Sequence, residues 1–279
     1  MKKYVFVIYA GIILFLSSCN GSDAVREDTT SRSEGECLIK DQAFFESVAP
    51  NPVYYDELGF YYPHPSQYKN NQIILAGFDA SLKKVQNAIP SDKLIVKETT
   101  TGKTELLFLG MQGGTINDYE THEIWVAANV TYAESGEKGL YILSLPISHY
   151  VGYMAGKVIF GFNKFAADFN IYDEEGTKHF SAAIENEIVI EFHAQMDSSE
   201  CWISEEQNLY TVKDDNINRS SMKINWPRGK ATNENGAGFS INPHDLTTDL
   251  LDLEISSLPN WHTYMSDSQM ILSAPEIMD

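Results

Sequence analysis

Positive charge is scarce in this sequence: 20 Lys and Arg stand against 39 Asp and Glu, a formal net charge of −19 over 279 residues. Nonspecific nucleic-acid binding needs clustered basic side chains that displace phosphate counterions, and adsorption on anionic lipid needs the same, so both are disfavoured. Cysteine is scarcer still, three residues with no CxxC pair and no zinc-type spacing. The GxSxG elbow, the P-loop, the dinucleotide GxGxxG and HExxH are all missing, which removes the commonest signatures of hydrolases, nucleotide-binding proteins and zinc proteases. Histidines are few and scattered. His122, His149, His179 and His193 share no metal-ligand spacing and read as ordinary surface or core residues. What is present, 43% hydrophobic and 12% aromatic residues, is enough for a packed core and too much for wholesale disorder.

The N-terminus has its own pattern. Lys2 and Lys3 precede an almost wholly apolar run, Tyr4 to Phe15. That run is shorter than the roughly 20 residues of a spanning helix and has the length of a signal-peptide core. Leu16-Ser17-Ser18-Cys19 resembles the lipobox of bacterial lipoproteins, which implies removal of residues 1–18 and acylation of Cys19. The expected location is the bacterial cell envelope, lipid-anchored, periplasmic or surface-exposed, with the membrane met only through that lipid. Residues 19–36 are polar and nearly devoid of large apolar side chains, and they read as a flexible tether. Residues 37–279 are then expected to form one domain. Cys37 and Cys201 remain, an even pair that suits a disulfide in an oxidising compartment; two separate buried thiols are the other reading.

Beyond the tether the chain reads as mainly β with a few short helices. Leu82, Val85, Ala88 and Ile89 form a helical stripe within Asp79 to Ile89, which Pro90 stops. Glu123 to Tyr132 alternates with period two, with Ile124, Val126, Ala128 and Val130 on one face. Gly139 to Ile147, Lys157 to Ile171 and Glu187 to Met196 are further strand-like runs rich in β-branched and aromatic residues. Gly113-Gly114, residues 134–137 and residues 173–176 read as turns, and Asn233 to Pro243 as an exposed loop. An antiparallel, closed or nearly closed barrel-like sheet is the natural architecture.

One stretch stands out. From Lys138 to Ala167 there is no Asp or Glu, although Lys157 and Lys164 lie inside it, the latter among Phe160, Phe162 and Phe165. Burial among aromatic rings disfavours a charged ammonium, which is one way to make a reactive amine. A lysine snorkelling to water from a strand edge is the ordinary alternative.

Residues 156–164, GKVIFGFNK, resemble the signature of the acetoacetate decarboxylase family, roughly Gly-Arg-Glu, three residues, an aromatic, Pro, Lys. The glycine-to-lysine interval matches, as does the aromatic residue two before the lysine. Asp118-Tyr119-Glu120 running into the strand EIWVAANVTY resembles the family's Tyr-Glu and long strand, and Glu105 lies at the family's interval before Glu120. The helix ending at Pro90 and the segment Ser256 to Ile277 resemble the family's early helix and closing strands. The likeness spans about Tyr68 to Ile277.

The resemblance implies an acetoacetate decarboxylase-like barrel and Schiff-base chemistry without a cofactor. Lys164 would be the nucleophile toward a small keto acid or other small carbonyl compound, with Glu105 and Glu120 as proton-transfer or positioning carboxylates. Lys157, Phe160, Phe162 and Phe165 would line the substrate site, and a homo-oligomer is expected. A related aldolase or dehydratase-type reaction, or a noncatalytic small-ligand-binding module on the same fold, are the alternatives. The sequence departs from the signature at Lys157-Val158 for Arg-Glu, Asn163 for Pro and Phe165 for the lysine that follows the nucleophile in some members. The family's substrate-side arginine has no counterpart near residues 68–74, where Lys69 is the nearest basic residue. An acidic exterior repels an anionic keto acid, so attraction would have to be local, from Lys157, Lys164 or another group. A cavity as acidic as the surface would point instead to a neutral or cationic ligand.

Overall fold

The computed structural model describes residues 40–46, 48–196, 201–227 and 236–278. The signal segment, Cys19, the tether and Cys37 lie outside the described residues. Cys201 is disulfide-bonded. Among the described residues no helix is long and apolar enough to cross a membrane.

Seven strands close into a barrel. In spatial order they are β6 (Tyr119–Tyr132), β5 (Lys103–Ile116), β3 (Ser66–Ser81), β15 (Pro259–Leu272), β13 (Asn216–Pro227), β12 (Trp202–Lys213) and β7 (Lys138–Ile147), and β7 pairs back onto β6. All junctions are antiparallel except β7 with β12, where Leu140 and Tyr141 run parallel to Leu209 and Tyr210. The short β4 (Leu94–Val96) extends β6, β16 (Glu276–Ile277) pairs with β13, and β8 (Lys164–Ala166) lies parallel to β7. A hairpin of β1 (Asn51–Tyr55) and β2 (Phe60–His64) precedes the barrel. A second antiparallel sheet is built from β9 (Asp168–Glu174), β10 (Thr177–Ile184), β11 (Glu187–Gln195) and β14 (Ala237–Ile241). The helices are short: α1 (Leu82–Ala88), α2 (Tyr150–Ala155), which continues into a π-helical turn Gly156–Phe160, and α3 (Thr248–Leu251).

Strand periodicity explains why there are two cores. Successive side chains of a strand point to opposite faces, so a strand between two apolar layers is apolar at both parities. In β3, Ile74, Ala76 and Phe78 enter a core shared with the four-stranded sheet, whereas Ile73 and Leu75 enter the barrel interior. In β6, Ile124, Val126, Ala128 and Val130 do the former, as their alternation implies, and Trp125 and Ala127 the latter. The outer core is knit by rings: Phe239 of β14 stacks on Phe108 of β5 at 4.5 Å between centroids and meets Phe78 edge-on at 4.8 Å. Such pairs add about 0.5–1.5 kcal/mol beyond their burial.

Three local expectations are corrected. The run Lys157 to Ile171 is not one strand. It begins in the π-helical turn, reverses at Gly161 (φ +74°), and only then forms β8 and β9. A short apolar run cannot be assigned by periodicity alone, and a left-handed φ at a residue without a β-carbon ends the helix here. Gly113-Gly114 is no hairpin turn but a bulge inside β5, where the register with β6 shifts between Met111 and Gly114. Within the loop predicted at Asn233 to Pro243, Ala237–Ile241 is a strand, because pairing with β11 satisfies its backbone.

Candidate active site

The site grows from the parity of β6. Because Ile124, Val126 and Ala128 face the outer core, Thr121, Glu123, Trp125 and Ala127 must face the barrel interior. Glu123 is thus a fully buried carboxylate, 0% exposed, near the start of its strand. Its Oε2 accepts a hydrogen bond from the indole of Trp125 at 2.6 Å. Its Oε1 accepts one from the ammonium of Lys164 at 2.9 Å, and the lysine side chain is itself only 4% exposed. Burying both ions is costly and is offset only when the pair is close and well hydrogen-bonded; here the ions are in contact and each carboxylate oxygen has a donor.

Lys164 reaches Glu123 because the preceding turn leaves it a channel. Parallel pairing of Lys164 with Leu145 on β7 turns the lysine inward, and Phe165 consequently outward into the core shared with the second sheet. The lysine stem then crosses the backbone of the π-helical turn. A β-carbon at Gly156 would lie 2.4 Å from Cδ and 2.5 Å from Cε of Lys164, so the glycine-to-lysine interval of the signature is a packing requirement. The turn is pinned from β12, where the hydroxyl of Thr211 donates to the Phe160 carbonyl at 2.6 Å and Lys213 Nζ to the Val158 carbonyl at 2.6 Å. Phe160 and Phe162 stack at 5.4 Å and 11° inside the barrel, and the Lys164 ammonium lies 5.7 Å from the Phe162 ring centroid. The Gly152 carbonyl accepts a longer bond from the same ammonium, 3.4 Å.

Above Gly152 opens a cavity of about 300 Å³. Its walls include Phe60, Tyr61 and Tyr62 of β2, Tyr119 and Thr121 of β6, and His149 before α2. Gly152, whose carbonyl Lys164 bonds, is a lining residue, whereas Lys164 and Glu123 are not themselves among the lining residues. Tyr62 is pushed up to about 12, first by burial and further by the charge of Glu123, against a lowering hydrogen bond with Ser66. Tyr68, also buried, is raised for the same two reasons. His64 is lowered by burial and meets the Tyr55 hydroxyl through Nε2 at 2.7 Å.

The residues singled out in the sequence are distributed unevenly around this centre. Lys164, Phe160 and Phe162 come together in the barrel interior. Phe165 lies across the sheet from them. Lys157 is exposed on the turn, its ammonium 5.7 Å over the Tyr153 ring. Glu120 shares the outward parity of Ile124, and its side chain is 74% exposed, with the His122 ring nitrogen 4.0 Å away. Glu105 does point inward, but it opposes Asp79 near the start of β5, whereas Glu123 opposes Met111. Six residues of strand separate the two levels, roughly 20 Å at about 3.3 Å each. There Glu105 accepts hydrogen bonds from Trp261 at 2.9 Å and Asn260 at 3.1 Å. Burial nonetheless leaves its carboxyl raised above the ordinary value. Lys69 pairs with exposed Asp118 at 3.3 Å, and Arg219 is held by Glu137 and Glu276; neither lines the cavity. Glu123 is the carboxylate that sequence reasoning passed over. Its signal was a single acid on the face opposite the alternating apolar residues of β6.

A closed seven-strand barrel with a buried lysine–carboxylate pair at one end defines the class, and sequence comparison agrees. The profile of the acetoacetate decarboxylase family (ADC) matches residues 50–218, more than half of the chain, and the chain belongs to that family. Sequence comparison with curated proteins finds no match. Among solved structures, acetoacetate decarboxylase from Legionella pneumophila superposes with a TM-score of 0.57 at 16% identity, over 90% of this chain and 98% of that one. The enduracididine biosynthesis enzyme MppR superposes with a TM-score of 0.57 at 11% identity, over 82% and 98%. A further acetoacetate decarboxylase gives 0.55 at 13% identity, over 77% and 89%. These likenesses extend to the fold, including the mainly antiparallel closed barrel.

Proposed function

We propose that this protein is a Schiff-base enzyme in which Lys164 is the nucleophile toward a small carbonyl compound and Glu123 carries its protons. The observation that supports this reading is the buried contact of Lys164 Nζ with Glu123 Oε1 at 2.9 Å, with the same ammonium bonded to the carbonyl of Gly152, a lining residue of the cavity. An unperturbed lysine is almost wholly protonated at neutral pH and cannot attack. A carboxylate in hydrogen-bond contact supplies the acceptor that frees the nitrogen lone pair. The ammonium passes one proton to Glu123, and nitrogen bonds to the carbonyl carbon while the π pair moves to oxygen. A proton from nitrogen neutralises that oxygen. Glu123 then returns its proton, the hydroxyl departs as water, and the nitrogen lone pair closes the C=N bond. The balance is one ammonium and one carbonyl giving one iminium and one water, with Glu123 regenerated.

Decarboxylation of a keto acid would follow if the iminium nitrogen accepted the electron pair left by carbon dioxide. That route needs a group to hold the carboxylate, and the cavity walls carry no Lys or Arg. Aldolase or dehydratase-type chemistry, which can run on an uncharged carbonyl, is the second reading, favoured by that same lining. MppR, which shares the fold, has been solved with pyruvate.

The test is to incubate the protein with a panel of keto acids and uncharged aldehydes, reduce with borohydride and locate the adduct by peptide mass. An adduct on Lys164, lost in Lys164→Ala, is expected. No adduct on Lys164 across the panel sinks the Schiff-base reading and leaves a noncatalytic ligand-binding module. We further propose that the enzyme is held at the cell envelope by a lipid on Cys19. Detergent-phase partitioning that Cys19→Ala does not alter would refute it.

A further inference from the structure

The lining of the cavity narrows the substrate class. Four of its side chains are aromatic six-membered rings: Phe60, Tyr61, Tyr62 and Tyr119. Tyr119 stacks on His149, also a wall residue, at 4.8 Å and 28°. None of the lining residues is Asp, Glu, Lys or Arg. The charges of Lys164 and Glu123 cancel in contact. The two chain neighbours of the wall residue Tyr119, Asp118 and Glu120, are carboxylates 85% and 74% exposed in their side chains, and Lys69 is paired with Asp118. An anion would therefore lose its hydration in a site whose walls carry no cation, a loss that nothing there repays. A flat apolar ligand loses nothing comparable and gains ring contacts on entry.

We propose that the cavity binds an uncharged aromatic carbonyl compound, its ring against Tyr119. This inference rests on the Schiff-base reading for the fate of the carbonyl and extends it by assigning the rest of the molecule.

The experiment separates ring, charge and chemistry. Half-saturating concentrations for borohydride trapping on Lys164 are compared for benzaldehyde, 4-hydroxybenzaldehyde, acetaldehyde, phenylpyruvate, pyruvate and acetoacetate. In parallel, benzyl alcohol, which cannot form an imine, and acetate are titrated by ligand-observed NMR. The two aryl aldehydes are expected to half-saturate at least tenfold below acetaldehyde and all three keto acids. Tyr119→Ala should raise the aryl values several-fold more than the acetaldehyde value. Pyruvate, acetoacetate or phenylpyruvate saturating at or below the benzaldehyde concentration overturns the inference while leaving the Schiff base intact. If nothing is trapped but benzyl alcohol still binds and acetate does not, the Schiff-base reading falls and the ligand class stands. If acetate binds as well as benzyl alcohol, the ligand class falls.

Discussion

The stem of Lys164 lies directly against Gly156, so closely that a β-carbon there would stand 2.4 Å from Cδ. An eight-residue interval in the sequence is thus a contact across a turn. Gly156→Ala should force the lysine out of its channel, with overpacking costing about 1–3 kcal/mol of stability. Because a misplacement of about 1 Å can cost about 10²-fold in rate, trapping on Lys164 should slow by that order. Wild-type trapping kinetics in a folded Gly156→Ala protein would show that the contact is not needed.

The pair of Lys164 and Glu123 should behave as one energetic unit. Removing one ion leaves the other buried without its partner, so Lys164→Met and Glu123→Gln are each expected to cost about 3–5 kcal/mol in urea unfolding. The double variant should cost less than the sum, because neither charge remains. Additive losses would contradict a direct pair. Glu123→Gln, where it folds, should slow adduct formation by about 10²–10⁴-fold, the usual contribution of a positioned proton carrier.

Glu120 supplies the contrast. With its side chain 74% exposed on the outward parity of β6, Glu120→Gln should change stability by no more than about 0.5 kcal/mol. Trapping on Lys164 should be unaltered within error, and a tenfold loss would restore a catalytic role to this residue.

Glu105 has a pH signature of its own. Burial raises its carboxyl above the ordinary 4.5 despite lowering hydrogen bonds from Asn260 and Trp261. Between 4.5 and its raised value the folded state holds more proton than the unfolded state, so stability falls as pH rises through that window. Below 4.5 the contribution is fully present. Melting temperatures of wild type and Glu105→Gln across this range should therefore diverge, with wild type losing relative stability as pH increases. A difference that stays constant with pH would place the titration elsewhere.

His64 titrates in the opposite sense. Burial lowers it from 6.5, so its neutral form is favoured in the fold. Its contribution is present above 6.5 and is lost as pH falls from there through the lowered value. Because Tyr55 and Tyr62 flank it, acidification should loosen the β1–β2 hairpin before the barrel, and His64→Gln should abolish that step. Hydrogen exchange of the hairpin amides would register it, and protection independent of pH from neutrality downward would refute it.

The sequence by itself determined the residue types and their parity. Period-two alternation in β6 announced a strand with one continuous apolar face, and the interval from Gly156 to Lys164 marked a lysine among aromatic rings. The turns at residues 134–137 and 173–176 were equally legible, since they join β6 to β7 and β9 to β10. Tertiary structure decided which carboxylate meets that lysine. Spacing along the chain favoured Glu120 and Glu105, but one has the wrong parity and the other the wrong height. Glu123 combines inward parity with the right level, and that level is set by the register of β6 on β5 and of β8 on β7. Register between distant strands depends on closing the barrel, a sum of long-range packing that no local window contains. The same closure gathers Phe60, Tyr61, Tyr62, Tyr119 and His149, which are remote in sequence, around one uncharged cavity.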